Sequence, residues 1–299
     1  MDGPTPAVHR PVLLAEALEL LNVRPEGVYV DATLGGGGHA EALAKRLTGG
    51  KLLGIDRDPV ALDGARRRLQ PWSERLVLMK GNFAEIGKLH AASGLPPADG
   101  LLADLGVSSL QLEDAARGFS FNLPGPLDMR MDPETPVTAQ QLVNEMRERE
   151  LADLIFRLGE ERYSRRIARA IVEARPIRTT THLAQVVMRV TPVRAGFRHL
   201  HPATRTFMAL RLAVNREIEN LEAFLQGALA VLDAGGRVVI VSFHSLEDGM
   251  VKRAFQSWRR EGRARLLTRN VVRPTESEVR ANPRARSAKL RAAEKTVSQ

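Results

Sequence analysis

The 299-residue chain contains no cysteine. That absence excludes disulfides, thiolate zinc sites, iron–sulfur clusters and a catalytic thiol, and leaves the chemistry to oxygen and nitrogen. Long apolar runs are missing as well. The stretch MDGPTPAVHRPVLLAEALEL is interrupted by Glu16 and Glu19, and no later run approaches the roughly 20 residues that span a bilayer. A soluble, cytoplasmic protein with no membrane association is expected. No tight metal-ligand spacing occurs. Asp128 and Asp132 come nearest, and a helix start or salt bridge accounts for them better than a cation, so no metal is expected.

What is present is enough apolar material for a large core, 43% hydrophobic residues, and a length suited to two domains. The formal charge of +9 is uneven: from Lys252 onward there are 14 Lys/Arg against 4 Asp/Glu, whereas the first 251 residues carry 30 against 31. Such a tract attracts a polyanion over a Debye length of about 8 Å, with nucleic acid the natural candidate and a solvated surface that favours solubility the alternative. Of the 44 basic residues 37 are arginine, whose planar fork matches phosphate.

Four short apolar segments, Val28 to Leu34, Lys51 to Ile55, Leu76 to Met79 and Gly100 to Leu105, alternate with helical or loop stretches. They predict a doubly wound, mostly parallel α/β sheet. From Gln111 to Met131 the chain reads as loop, and Thr138-x-x-Gln141 offers a capping box. Helical spacing then follows in three successive segments, around Leu151 to Leu158, Ile167 to Ala174 and Leu183 to Val190, which predicts an inserted all-helical domain. A longer helix is expected from Phe207 to Leu232, then a strand from Arg237 to Phe243 that rejoins the sheet, a helix over Leu246 to Trp258, and strands at Arg265 to Thr268 and Ala288 to Ala292. The expected domains are 1–110 with 205–299 for the cofactor, and 111–204 as an inserted loop and helical domain for substrate recognition.

Gly35-Gly36-Gly37-Gly38-His39-Ala40 lies between the first strand and the first helix of the repeat, where a ligand approaches backbone amides closely. Asp56 ends the second strand, 21 residues after Gly35, and a carboxylate there accepts from both hydroxyls of a ribose. This arrangement indicates an adenosine-containing cofactor without saying which. Gly35-x-Gly37-x-x-Ala40 also satisfies the dinucleotide fingerprint, so an NAD-dependent oxidoreductase is an alternative.

At Asp104-Leu105-Gly106-Val107-Ser108-Ser109, followed by Gln111, the chain begins to resemble the bacterial small-subunit ribosomal RNA cytosine-N4 methyltransferases, the RsmH or MraW family. The resemblance spans nearly the whole chain. It takes in His9 to Glu16, the glycine turn, Ile55 to Pro59, Gly118 to Phe121, Asp128 to Asp132, Gly159 to Arg162, His201 to Phe207, Ser242 to Asp248 and Asn282 to Ser287. It implies a class I S-adenosylmethionine methyltransferase that methylates the exocyclic N4 of a cytidine near the decoding site of 16S ribosomal RNA. The implied partners are that RNA or the assembled small subunit, with a homodimer also in view. The implied cofactor contacts are Gly37, Gly38 and His39, Asp56 on the ribose, Phe83 beside the adenine, and Asp104 and Gln111 near the methionine end. The chain departs from the family pattern in being short at Ala174 to Thr181 and between Trp258 and Asn282.

An exocyclic amine is a poor nucleophile because its lone pair is delocalised into the ring. A site must align it with the methyl group and offer acceptors that favour a tetrahedral nitrogen. Asp104, at the carboxyl end of the fourth strand, is the first catalytic candidate. His244, after the fifth strand, is the second, to take the proton or orient the base, with a buried histidine that holds a loop as the other reading. Arg162, Arg165, Arg166, Arg169 and Arg205 either grip RNA phosphates or lace the helical surface with neighbouring glutamates. A non-catalytic ribosome-assembly factor is a further alternative. A DNA amino-methyltransferase is disfavoured, since no Asp/Asn-Pro-Pro-Tyr tetrad follows the fourth strand.

Overall fold

The computed structural model describes residues 11–192 and 201–297; His9 and Arg10, which open the first family segment, lie outside them. The elements in chain order are α1 (Leu14–Leu21), β1 (Val28–Asp31), α2 (Gly38–Ala44), β2 (Lys51–Asp56), α3 (Pro59–Arg68), β3 (Leu76–Lys80), α4 (Ile86–Ser93) and β4 (Ala98–Asp104). There follow α5 (Ser109–Glu113), α6 (Ala139–Glu145), α7 (Glu148–Gly159), α8 (Ser164–Glu173), α9 (Thr180–Val190), α10 (Thr204–Asn215) and α11 (Glu217–Gly227). The last are β5 (Leu232–Ser242), α12 (Ser245–Arg260), β6 (Ala264–Leu266), α13 (Glu276–Ala281) and β7 (Lys289–Lys295). No helix among the described residues is long and apolar enough to cross a membrane.

The chain divides into two compact units, Met1–Gly106 with Ile218–Gln299, and Val107–Glu217. The first holds a seven-stranded sheet in the order β3-β2-β1-β4-β5-β7-β6. Strands β1 to β5 run parallel, and β7 is antiparallel to both β5 and β6. Their apolar runs are continuous because both faces are covered. Val28, Val30, Leu53, Ile55, Leu101, Ala103, Val238 and Ile240 enter one core with α4, α11 and α12. The alternate residues Tyr29, Leu52, Leu102, Val239 and Val241 enter another with α1, α2 and α3. Strand order reverses between β1 and β4, the kind of switch point at which doubly wound sheets bind ligands beyond the carboxyl ends of their strands.

The second unit has its own core. Phe119, Leu127 and Met129 from the loop pack with Leu151, Ile155, Ile167, Leu183 and Phe207 from the helices. The loop expected over Gln111 to Met131 begins as the short helix α5 and is held by buried residues and by Arg117, whose guanidinium donates to the Arg130 and Met131 carbonyls at 2.9 Å. Thr138 and Gln141 form the capping box their spacing indicates.

Two expectations need correction. The helix expected from Phe207 to Leu232 is broken: α10 ends at Asn215, Arg216 adopts a left-handed φ of 49°, and Leu232 belongs to β5. The break follows from hydrogen bonding. The buried Asn215 amide donates to the Met129 carbonyl at 2.7 Å and accepts from the Met131 amide at 2.8 Å, while Arg211 grips Glu217 at 2.8 and 3.1 Å across the turn. The boundary expected between 204 and 205 accordingly falls between Glu217 and Ile218, because Phe207, Leu210 and Val214 of α10 belong to the helical unit's core.

Candidate active site

Three strands of the parallel sheet, β1, β2 and β4, end in aspartates. At the end of β1, Asp31 is buried and its Oδ1 accepts the Thr33 amide at 3.2 Å, shaping the turn into the glycine run. Thr33 Oγ1 accepts the Asp104 amide at 2.6 Å, which ties the β1 loop to the end of β4. Gly37 takes φ 76° at the start of α2, a conformation that side chains oppose. Gly38 has a different constraint: a Cβ there would lie 2.6 Å from Pro11 Cγ, so its small size lets residue 11 close over α2.

Asp56, at the end of β2, accepts the Gly35 amide on Oδ2 at 2.7 Å and the Asp58 amide on Oδ1 at 2.8 Å. These two bonds hold the glycine turn against the second strand and fix the carboxylate's orientation. A carboxylate has about four lone-pair positions, so acceptor capacity remains for a pair of hydroxyls. Asp58 caps α3 through the Val60 amide at 3.0 Å, with Pro59 in the first helical position. Phe83, just past β3, is partly buried and meets Phe224 edge to face at 5.2 Å.

Asp104 ends β4 with its side chain only 21% exposed. Its Oδ1 is buried without a hydrogen-bond partner among the described residues, and its Oδ2 lies 3.6 Å from His39 Nδ1. Burial first, then the charges of Asp31 and Glu247, hold this carboxyl well above the usual carboxylate range. Burial also raises Asp56, against the Asp58 and Gly35 amides. It pushes Asp31 up to about 7, opposed by the Thr33 amide and reinforced by the Asp56 charge. The crevice thus gathers carboxylates at the ends of β1, β2 and β4, beside Glu247 of α12. Such a donor set fits a cationic, ribose-bearing cofactor: it supplies negative charge, hydroxyl acceptors and one open buried oxygen.

Sequence reasoning did not single out Asp31 or Glu247. Asp31 reads as the polar last residue of a strand and Glu247 as an ordinary first-turn acid, and only the convergence of strand ends distinguishes them. His244 stands at the N-terminus of α12. It caps α12, its Nδ1 accepting the Glu247 amide at 3.5 Å, and its Nε2 stands 3.1 Å from Glu247 Oε1 without hydrogen-bond alignment.

Gln111 lies in the second unit, buried, where its Oε1 accepts the Ser108 amide at 3.0 Å as part of a capping box. Asp128 is engaged by Arg130 through two bonds of 2.8 Å, which accounts for it as a salt bridge, and no cluster suited to a metal ion occurs among the described residues. Arg162, Arg165, Arg166 and Arg169 are exposed, with Arg169 3.7 Å from Glu148.

A doubly wound sheet with this strand order, an antiparallel β7 and a carboxylate-lined crevice at its switch point defines a class I S-adenosylmethionine-dependent methyltransferase. Residues 6–296 match the MraW methylase family, and the chain belongs to that family. It is 54% identical to a ribosomal RNA small subunit methyltransferase H from Syntrophobacter fumaroxidans, covering 98% of each chain. A protein of the same name from Solibacter usitatus is 51% identical over 96% of this chain and 99% of its own. Among solved structures, an rRNA methylase from Streptococcus thermophilus aligns over 97% of this chain and 100% of that one, at 12% identity and a TM-score of 0.47.

Proposed function

We propose that the protein transfers a methyl group from S-adenosylmethionine to the exocyclic N4 of a cytidine in 16S ribosomal RNA, near the decoding site. Family membership and the shared name of full-length relatives support methylation of small-subunit RNA. The observation that carries the chemistry is Asp104, a strand-end carboxylate with one buried oxygen that takes no hydrogen bond among the described residues. When bound, the cofactor supplies an electrophilic methyl group on a sulfonium.

The protein's own residues do the rest. Asp56 holds the ribose hydroxyls, the turn around Gly37, Gly38 and His39 sets the distance of α2 from the cofactor, and Phe83 offers a ring face to the adenine. Asp104 Oδ1 accepts a hydrogen of the amine and so favours a tetrahedral nitrogen as the bond forms. The helical unit, residues 107–217, takes the substrate-recognition role, and its exposed arginines and the basic C-terminal tract meet RNA phosphate. A reaction on ribosomal RNA places the protein in the cytoplasm.

The test is nucleoside analysis of small ribosomal subunits from a strain lacking this gene, after incubation with the protein and S-adenosylmethionine. N4-methylcytidine in the 16S RNA, and none in double-stranded DNA, is the expected result. Binding of NADH in preference to S-adenosylhomocysteine would return the site to an oxidoreductase, and cofactor binding with no methylated nucleoside would leave an assembly factor.

A further inference from the structure

Two contacts of His39 fix where its hydrogen lies. Its Nε2 is 3.1 Å from the Val12 carbonyl oxygen. A carbonyl only accepts, so Nε2 carries the hydrogen and Nδ1 of the neutral ring keeps a lone pair. That Nδ1 faces Asp104 Oδ2 at 3.6 Å. A lone pair and a carboxylate oxygen opposed at this distance, in a largely buried corner, repel each other unless one of them carries a proton.

The surrounding charges press the same way. Asp31 from β1 and Glu247 from α12 act on Asp104, and Asp56 from β2 acts on Asp31. Among the described residues, the other charged groups of the neighbouring elements face partners of their own: Glu41 of α2 pairs with Lys45 and Arg68, Arg57 acts on Asp56, and His244 Nε2 stands 3.1 Å from Glu247 Oε1.

We propose that the Asp104–His39 pair holds one proton in the free enzyme, releases it when the cationic cofactor binds, and recovers one from the amine during methyl transfer. This rests on the methyltransferase reading above. The charges balance. The cofactor brings one positive charge, and expelling a proton keeps the net charge of the site constant. In the transfer, the lone pair of the amine nitrogen forms the N–C bond, the C–S bonding pair returns to sulfur, and the proton shed by nitrogen passes to the pair through Asp104. One proton therefore reaches solvent per turnover, and it leaves at cofactor binding.

Calorimetry of the full chain at pH 7, in buffers of different ionisation enthalpy, counts these protons. S-adenosylmethionine is expected to release about one proton and S-adenosylhomocysteine, which lacks the sulfonium charge, about none. Affinity for S-adenosylmethionine rises with pH by at most about tenfold per unit while the pair titrates, and affinity for S-adenosylhomocysteine stays flat. Asp104→Asn, which keeps an acceptor oxygen and cannot ionise, removes the release, whereas Asp31→Asn retains it. Equal release for both ligands, no release with S-adenosylmethionine, or release that survives Asp104→Asn overturns the proposal. The comparison of ligands on the wild-type protein holds whether or not the variants fold. A protein that binds neither ligand overturns the methyltransferase reading as well, whereas one that binds both without a proton difference overturns this proposal alone.

Discussion

A buried carboxylate with a raised proton affinity costs stability whenever it is ionised, and Asp31 is such a group: 1% exposed, with its carboxyl pushed up to about 7. The sign follows from linkage. Between the ordinary carboxylate range and about 7, the folded protein binds more protons than the unfolded chain, so stability from this group is full below that window and falls as pH rises through it. Asp56 and Asp104 are shifted the same way. The ligand-free protein should therefore resist urea better at pH 5.5 than at pH 8. Asp31→Asn, whose amide oxygen still accepts from Thr33, should flatten that dependence and raise stability at pH 8 by on the order of a few kcal/mol. Urea midpoints of wild type and variant at both pH values check this. The same residue shows why a functional site carries strain of this kind: the negative charge that destabilises the free fold is what a cation at the crevice offsets.

Among the elements, the turn at Arg216 has the clearest energetic cause. Asn215 is 2% exposed and makes bonds to Met129, Met131 and Arg211. Asn215→Ala leaves a buried amide and carbonyl without partners and should cost about 2–4 kcal/mol, read as a lower urea midpoint with the α10 amides exchanging faster. Arg216→Gly, at a left-handed residue, should be neutral or slightly stabilising. This turn also marks where the sequence ceased to be readable. Apolar spacing continues through Phe207, Leu210, Val214, Ile218, Leu221 and Leu225 without interruption, so periodicity alone extends the helix. What stops it is a hydrogen bond to a loop some 85 residues earlier, which no local pattern encodes. The parallel strands were legible because burial on both faces leaves continuous apolar runs, and Asp56 and Asp104 were legible because each follows such a run directly. His244 was legible as a residue following the fifth strand, but a capping histidine and a proton-accepting one look alike in sequence.

Across the whole molecule, the basic excess after Lys252 is only partly neutralised within the fold. Asp248 engages Arg291 and Lys289, and Glu294 engages Arg265 and Arg237. Arg269 and Arg273 are exposed on the segment between β6 and α13. If they meet phosphate, replacing both with alanine should weaken RNA binding and lower the slope of log K against log salt by about 1.4–1.8, whatever the RNA sequence. Filter binding over a salt series reads this.

The central claim is that the open oxygen of Asp104 serves methyl transfer to small-subunit RNA. Its most direct test is single-turnover transfer of labelled methyl to 16S RNA in small ribosomal subunits from a strain lacking this gene, with wild type and Asp104→Asn both saturated with S-adenosylmethionine. The account predicts transfer by the wild type and a rate about 100-fold or more lower in the variant, as expected when a positioned proton acceptor is lost. Transfer by Asp104→Asn at the wild-type rate would contradict it.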